Sequence, residues 1–316
     1  MFVHPALALV TLLTAQPPAP TQLELKDGDR IIWIGNTLVE REQRYGYWET
    51  ALHAAFPNRQ FTLRNLGWSG DTVFGDARAG FDTPARGFER LVSLTLELKP
   101  TVIFVSYGTN ESFEGEKGVP KFEKGLEKLL DALKPANARV ILFSPGRVIE
   151  EEALAGNPDP KLRNGDLGLY GYAVQKVALT RGLLFVELNE VFRQTSVLHS
   201  PSTPAKYQSL TENGVHLTAV GYEVSAWSLL RHLGVQPPSF ITPGIDRELS
   251  AKLDPLRKAI IEKNQLFFYR WRPQNETYLF GFRKHEQGKN AKEVAEFDPL
   301  VAKAEEEIER LRKSLK

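Results

Sequence analysis

The chain is predicted to fold as an α/β protein in which a parallel β-sheet is covered by helices on both faces. Three observations predict this. Short apolar runs almost free of charge alternate about five times with helix-period segments between Asp29 and Gly234. Such runs read as strands buried on both faces, which is the habit of parallel rather than antiparallel sheets. At 316 residues, with 42% hydrophobic and 25% charged residues, the chain is also long and apolar enough to bury a sizeable core.

The elements follow in order. Arg30-Ile31-Ile32-Trp33-Ile34-Gly35 is a buried strand ending in glycine, with Trp33 a core residue, and Tyr45 to Phe56 carries Trp48, Leu52, Ala55 and Phe56 at helical spacing. Phe61 to Leu66 reads as a strand, and Phe88 to Leu98 as a helix stopped by Pro100. Thr101 to Ser106 is the most β-rich run. Phe122 to Leu133 is an amphipathic helix, Arg139 to Ser144 a strand, Leu169 to Thr180 a helix and Leu183 to Val186 a fifth strand. Thr218 to Leu233 is the last helix of the block, closed by Gly234 and Pro237-Pro238. In such folds ligands bind beyond the carboxyl ends of the strands, so the loops after Ile34, Leu66 and Ser106 are the places to examine.

Composition narrows the chemistry. Forty Lys and Arg against 39 Asp and Glu leave a net charge of +1, which argues against a protein built for a phosphate backbone or an anionic membrane. Without cysteine there is no disulfide, thiolate nucleophile or Cys-ligated metal. Hydroxyl, imidazole, carboxylate and amide groups remain. Residues 1–20 pair a short apolar run with a Pro-rich stretch and resemble a secretory signal peptide, so a secreted or periplasmic location is expected. Three parts follow: the leader 1–20, the alternating domain 21–236, and an extension 237–316. The extension ends in a charged helix with an apolar seam at Val301, Ala304, Ile308, Leu311 and Leu315, a possible surface for association of two copies. No later stretch is apolar enough to span a bilayer.

Four loops carry the candidate chemistry. They read Gly35-Asn36-Thr37-Leu38, then Asn65-Leu66-Gly67-Trp68-Ser69-Gly70-Asp71-Thr72, then Gly108-Thr109-Asn110-Glu111, and late in the chain Asn213-Gly214-Val215-His216. Each sets small or amide residues where N–H groups could hold a substrate oxygen, and His216 stands where a general base completes the set. These segments, in this order, resemble the four blocks of the SGNH hydrolases, the GDSL-type esterases and acylhydrolases. The resemblance covers roughly Asp29 to Gly234. It implies a flavodoxin-like three-layer α/β/α sandwich, and hydrolysis of acyl or acetyl esters, on lipid or carbohydrate, without metal or organic cofactor. It further implies Thr37 as nucleophile, His216 as base, Asn213 as the residue orienting His216, and an oxyanion hole from Thr37, Gly70 and Asn110. The family's serine and aspartate are here Thr37 and Asn213. The threonine methyl crowds attack, and asparagine cannot stabilise an imidazolium. Glu212 could substitute for Asn213 only if its loop shifted.

Other readings are set beside this one. A catalytically weak or inactive binding protein for a glycan or protein partner would use the same pocket. Ser69 resembles a nucleophile elbow, but Asp71 stands where the second glycine spacing fails. No Gly-x-Gly-x-x-Gly or phosphate-loop lysine accompanies Gly35, and His285-Glu286 lacks the second histidine of a metalloprotease helix. His53 and His232 read as surface or packing residues, and His199 as a residue of a Ser/Pro-rich loop. The aromatic and basic stretch 267–285 could stack bases or sugars. The preferred reading is that Phe267, Tyr269, Trp271 and Phe280 staple the extension onto the sandwich while the arginines face solvent, with no nucleic-acid partner. Asn275-Glu276-Thr277 matches a glycosylation sequon, a triplet common by chance.

Overall fold

The structure, a computed structural model, describes residues 20–199, 208–236, 247–273 and 290–315. Strands β1 (Asp29–Gly35), β2 (Phe61–Asn65), β3 (Val102–Ser106), β4 (Arg139–Phe143) and β5 (Leu184–Val186) form one parallel sheet in the order β2-β1-β3-β4-β5. The order reverses between β1 and β3, and a crevice opens at such a switch point. Around the sheet lie α1 (Thr37–Tyr45), α2 (Tyr47–Ala55), α3 (Pro84–Glu97), α4 (Val119–Leu133), α5 (Pro160–Arg181), α6 (Leu188–His199) and α7 (Ala219–His232).

Alternation along each strand divides the core in two. Ile31, Trp33, Val102, Phe104, Ile141 and Phe143 face a core closed by Trp48 and Leu52 of α2, Val191 and Phe192 of α6, and Tyr222 and Leu230 of α7. Ile32, Ile34, Ile103, Val105 and Leu142 face the other, closed by α3, α4 and α5 through Leu91, Phe122, Leu126, Tyr170 and Val174. The indole N–H groups of the two sheet-facing tryptophans are satisfied, Trp33 on Ser106 Oγ and Trp48 on Ser225 Oγ, both at 2.9 Å. His53 is a packing residue, buried with its ring stacked on Phe61, and His232 Nδ1 lies 2.9 Å from the Ser228 carbonyl.

Among the helices, α1, α5 and α6 differ most from the sequence reading. α1 stands where a loop is expected, because Glu40, Glu42 and Gln43 are polar yet buried and spoil the amphipathic period. α5 begins at Pro160 rather than Leu169, since Asp159 caps it and proline suits the first helical turn. α6 is unanticipated, and His199 ends that helix rather than lying in a loop.

The extension forms α8 (Arg247–Trp271) and α9 (Phe297–Lys313). α8 docks through the fully buried Lys263, whose Nζ donates to Glu49 Oε1 at 2.7 Å, the Leu63 carbonyl at 2.8 Å and Asn264 Oδ1 at 2.7 Å. A buried ammonium is tolerated only with such partners. Ile308, Leu311 and Leu315 of the C-terminal seam pack on Leu256, Ala259 and Ile260 of α8. This part of the seam is therefore covered within one chain. Phe267 is buried as expected, but Tyr269 is 39% exposed, and Phe280 with the sequon lies outside the described residues. No helix among the described residues is long and apolar enough to cross a membrane.

Candidate active site

The loops leaving β1 and β3 flank the switch point, and a cavity of about 270 Å³ opens between them and the segment before α7. Thr37, Asn110, Asn213 and His216 all line it, with Leu38, Leu167, Phe192 and Tyr222 supplying apolar wall. Asn36 caps α1, its Oδ1 accepting from the Leu38 N–H at 3.2 Å. Thr37 thus occupies the first helical position, where a backbone N–H has no intrahelical acceptor and the helix dipole favours negative charge.

The second loop is tied down residue by residue. Asn65 Nδ2 donates to the Val39 carbonyl at 2.6 Å and its Oδ1 accepts from the Gly67 N–H at 2.8 Å. The Trp68 N–H donates to the Gly35 carbonyl at 3.0 Å, and the Ser69 N–H to Glu40 Oε2. Only glycine fits at position 67, because a Cβ there would lie 2.3 Å from the Glu40 nitrogen. Gly70 adopts a φ of +78°, a left-handed conformation that aims its N–H at Thr37 Oγ1, 3.3 Å away.

Asn110 is held from behind. Its Nδ2 donates to the Asp71 carbonyl at 2.7 Å, leaving its second N–H for a ligand. Asp71 is itself buried, its Oδ2 accepting from Arg78 Nε at 2.6 Å and Tyr107 OH at 2.9 Å. Glu111 joins the two loops, accepting from the Val73 and Gly108 N–H groups at 2.8 and 2.9 Å. Burial raises its pKa to about 7, against the pull of those two donors.

The third element is a tight turn between Thr211 and Leu217, which form an isolated antiparallel bridge. Glu152 anchors it by accepting the Leu210 and Thr211 N–H groups at 2.8 and 2.6 Å. Asn213 Oδ1 accepts two backbone donors, Val215 at 3.1 Å and His216 at 2.9 Å. That fixes the amide, so its NH2 faces His216 Nδ1 at 3.4 Å. An amide NH2 only donates, so Nδ1 must accept, and neutral His216 carries its proton on Nε2. Burial lowers the His216 pKa, and the nearby Arg41 guanidinium lowers it further while Glu212 opposes.

Two sequence alternatives are placed elsewhere. Ser69 is exposed and is not among the residues lining the cavity. Glu212 does not orient His216; it is half-exposed and paired with Arg41 at 2.5 Å. Glu40, Asp71, Arg78, Tyr107 and Glu152 carry the scaffold and were invisible as motif residues, because their function is to hold backbone rather than substrate. Among the described residues there is no group of three or more side chains able to hold a metal ion.

The comparisons concern the family and the fold. The model of the GDSL-like lipase/acylhydrolase family matches residues 28–224. A gut microbial diltiazem-metabolizing enzyme superposes with a TM-score of 0.51 at 19% identity, over 68% of this chain and 48% of that one, so this chain spans about half its length. An acetylxylan esterase from Geobacillus stearothermophilus has a TM-score of 0.50 at 22% identity, over 68% of this chain and 98% of that one. LAE5, an alpha/beta hydrolase enzyme from the metagenome of Lake Arreo, Spain, gives 0.50 at 21% identity, over 66% and 97%. At these identities the likeness concerns the fold. No curated protein matches the chain in sequence. The match to the family model over most of the chain, on a 2-1-3-4-5 parallel sheet with the loops of Thr37, Asn110 and His216 at one cavity, shows that the chain belongs to the GDSL-like lipase/acylhydrolase family of ester hydrolases.

Proposed function

We propose that the chain hydrolyses an acyl or acetyl ester, on a lipid or carbohydrate, with Thr37 as nucleophile. The observation that carries this is the convergence of Thr37, Asn110 and His216 on one cavity, with the Gly70 N–H 3.3 Å from Thr37 Oγ1. Once the imidazole proton has moved to Nδ1, Thr37 Oγ1 attacks the carbonyl carbon and gives its proton to His216 Nε2. The carbonyl oxygen becomes an oxyanion held by the Thr37 and Gly70 backbone N–H groups and the free N–H of Asn110. The imidazolium then protonates the leaving alcohol, and water activated by His216 releases the acid. Asn213 positions His216. The acetylxylan esterase likeness supports an acetylated glycan among the candidate substrates. The leader-like residues 1–20, mostly outside the described structure, support a secreted or periplasmic protein.

A second reading, a catalytically weak or inactive binding protein for a glycan or protein partner, draws on Asn213. With the proton on Nε2, neutral His216 cannot accept from Thr37 until the imidazole changes tautomer. Release of p-nitrophenol and of acetate from acetylated sugars, by the parent and by Thr37→Ala, Thr37→Ser and His216→Ala, separates the two. Hydrolysis predicts loss of turnover in Thr37→Ala and His216→Ala. A silent parent with turnover gained by Thr37→Ser supports the binding reading. Turnover surviving in Thr37→Ala but absent from His216→Ala removes Thr37 from the nucleophile's role.

A further inference from the structure

We propose that the end of α8 is a positioning element for the oxyanion loop, with Arg272 as its principal contact; the proposal rests on the reading of Gly70 as an oxyanion donor. The family match ends at residue 224, so this contact comes from outside the matched region.

Nothing packs where a side chain of residue 70 would lie. A Cβ at that position would meet nothing within 4 Å, and both Ser69 and Gly70 are exposed. The direction of the Gly70 N–H is therefore inherited from its neighbours in the loop, Trp68 and Ser69 before it and the buried Asp71 after it. Ser69 is held by its N–H on Glu40 Oε2, and Glu40 lies one turn along α1 from Thr37. The same Glu40 oxygen accepts Arg272 Nη1 at 3.1 Å, so Arg272 fixes the carboxylate that fixes Ser69. The glutamate side chain is only 10% exposed, and a carboxylate so far from water holds one position best with a cationic partner.

Trp68 is held by the same residue. The Arg272 guanidinium lies 3.7 Å above its ring, close to the best geometry for a cation over an indole, and Trp271 meets it edge-on with centroids 5.8 Å apart. Trp68 also lies 5.4 Å from the guanidinium of Arg78, which pairs with Asp71 and hence bears on Asn110. One arginine outside the matched domain thus touches both anchors of the oxyanion loop.

The test uses the full chain and the variants Arg272→Met and Arg272→Lys. Amide hydrogen exchange at Ser69, Gly70 and Asp71 is measured with thermal midpoints and, separately, kcat and KM for a short-chain p-nitrophenyl ester. Arg272→Met is expected to accelerate exchange at these three amides roughly tenfold and to lower kcat by a similar factor with little change in KM. Arg272→Lys keeps the charge on Glu40 but not the flat stack on Trp68, and is expected to fall between. Exchange at the three amides equal to the parent overturns the proposal. So does acceleration spread over the whole molecule with lysine no better than methionine, which marks general destabilisation. Exchange decides the matter whether or not ester is turned over, so a silent parent counts against the hydrolase reading and not against the clamp.

Discussion

The two halves of the cavity are built differently. On the donor side, Asn110 and Gly70 rest on the buried Asp71–Arg78–Tyr107 group, on Glu111 and on a loop fixed at nearly every residue. On the proton-transfer side, Thr37, Asn213 and His216 are each half-buried, and the contact that should orient the imidazole is a single 3.4 Å approach from a group that only donates. Charge stabilisation is preorganised, whereas proton transfer is not. The barrier in this molecule should accordingly sit in moving the Thr37 proton, and variants of the two halves should respond in opposite senses.

Asn213→Asp gives the largest expected effect. The carboxylate would still accept the Val215 and His216 N–H groups with one oxygen and would present the other to Nδ1. The imidazole proton then moves to Nδ1, Nε2 becomes the acceptor, and the imidazolium gains a counter-charge. In serine proteases the reverse change costs about 10⁴ in kcat, so kcat for a p-nitrophenyl ester should rise by up to about that factor. Adding His216→Ala should erase the gain. An Asn213→Asp protein no faster than the parent would place the bottleneck in Thr37 itself.

Asn110→Ala probes the rigid half. It removes one oxyanion donor whose support is buried and intact, and kcat should fall by roughly 10² to 10³ with KM little altered. A fall shared with KM would mean that Asn110 serves ground-state binding instead. If the donor side is as independent of the proton relay as its hydrogen bonds indicate, Asn110→Ala should reduce kcat by the same factor in the Asn213→Asp background.

What was legible in the sequence follows the same division. The strands could be read because their residues are apolar on both faces, as Ile31 to Ile34 divide between two cores. The cavity residues could be read because Thr37, Asn110 and His216 sit in short loops at strand ends or before a helix, in a fixed order. α1 could not, since its polar positions are buried for specific partners: Glu42 Oε1 accepts the Trp48 and Glu49 N–H groups that begin α2, and Glu40 holds Ser69. Periodicity sees such residues as solvent-facing. Nor could Arg272 be foreseen against Trp68; an arginine beside aromatics reads as a solvated charge until the partner 204 positions away is brought beside it in the fold. Long-range pairing of charged groups leaves no local pattern.

The smallest expected effect concerns pH and tests the electrostatics of the loose half. His216 acts as a base only when neutral, so the acid limb of kcat/KM follows its pKa in the free enzyme. Burial first, and the Arg41 charge second, hold that pKa below the usual 6.5, and the limb should lie below pH 6.5. Protonation would also set Nδ1–H against the Asn213 NH2, two donors 3.4 Å apart, which acts in the same direction. Arg41→Gln removes a cation and leaves the Glu212 carboxylate without its 2.5 Å partner. Both changes favour the imidazolium, so the limb should move to higher pH while the plateau above it stays level. Glu212 is half-exposed, so part of the displacement should disappear at high ionic strength, where charges more than about 3 Å apart at 1 M salt are screened. A limb that stays in place, or moves to lower pH, would show that His216 does not feel Arg41 and that burial alone sets its charge.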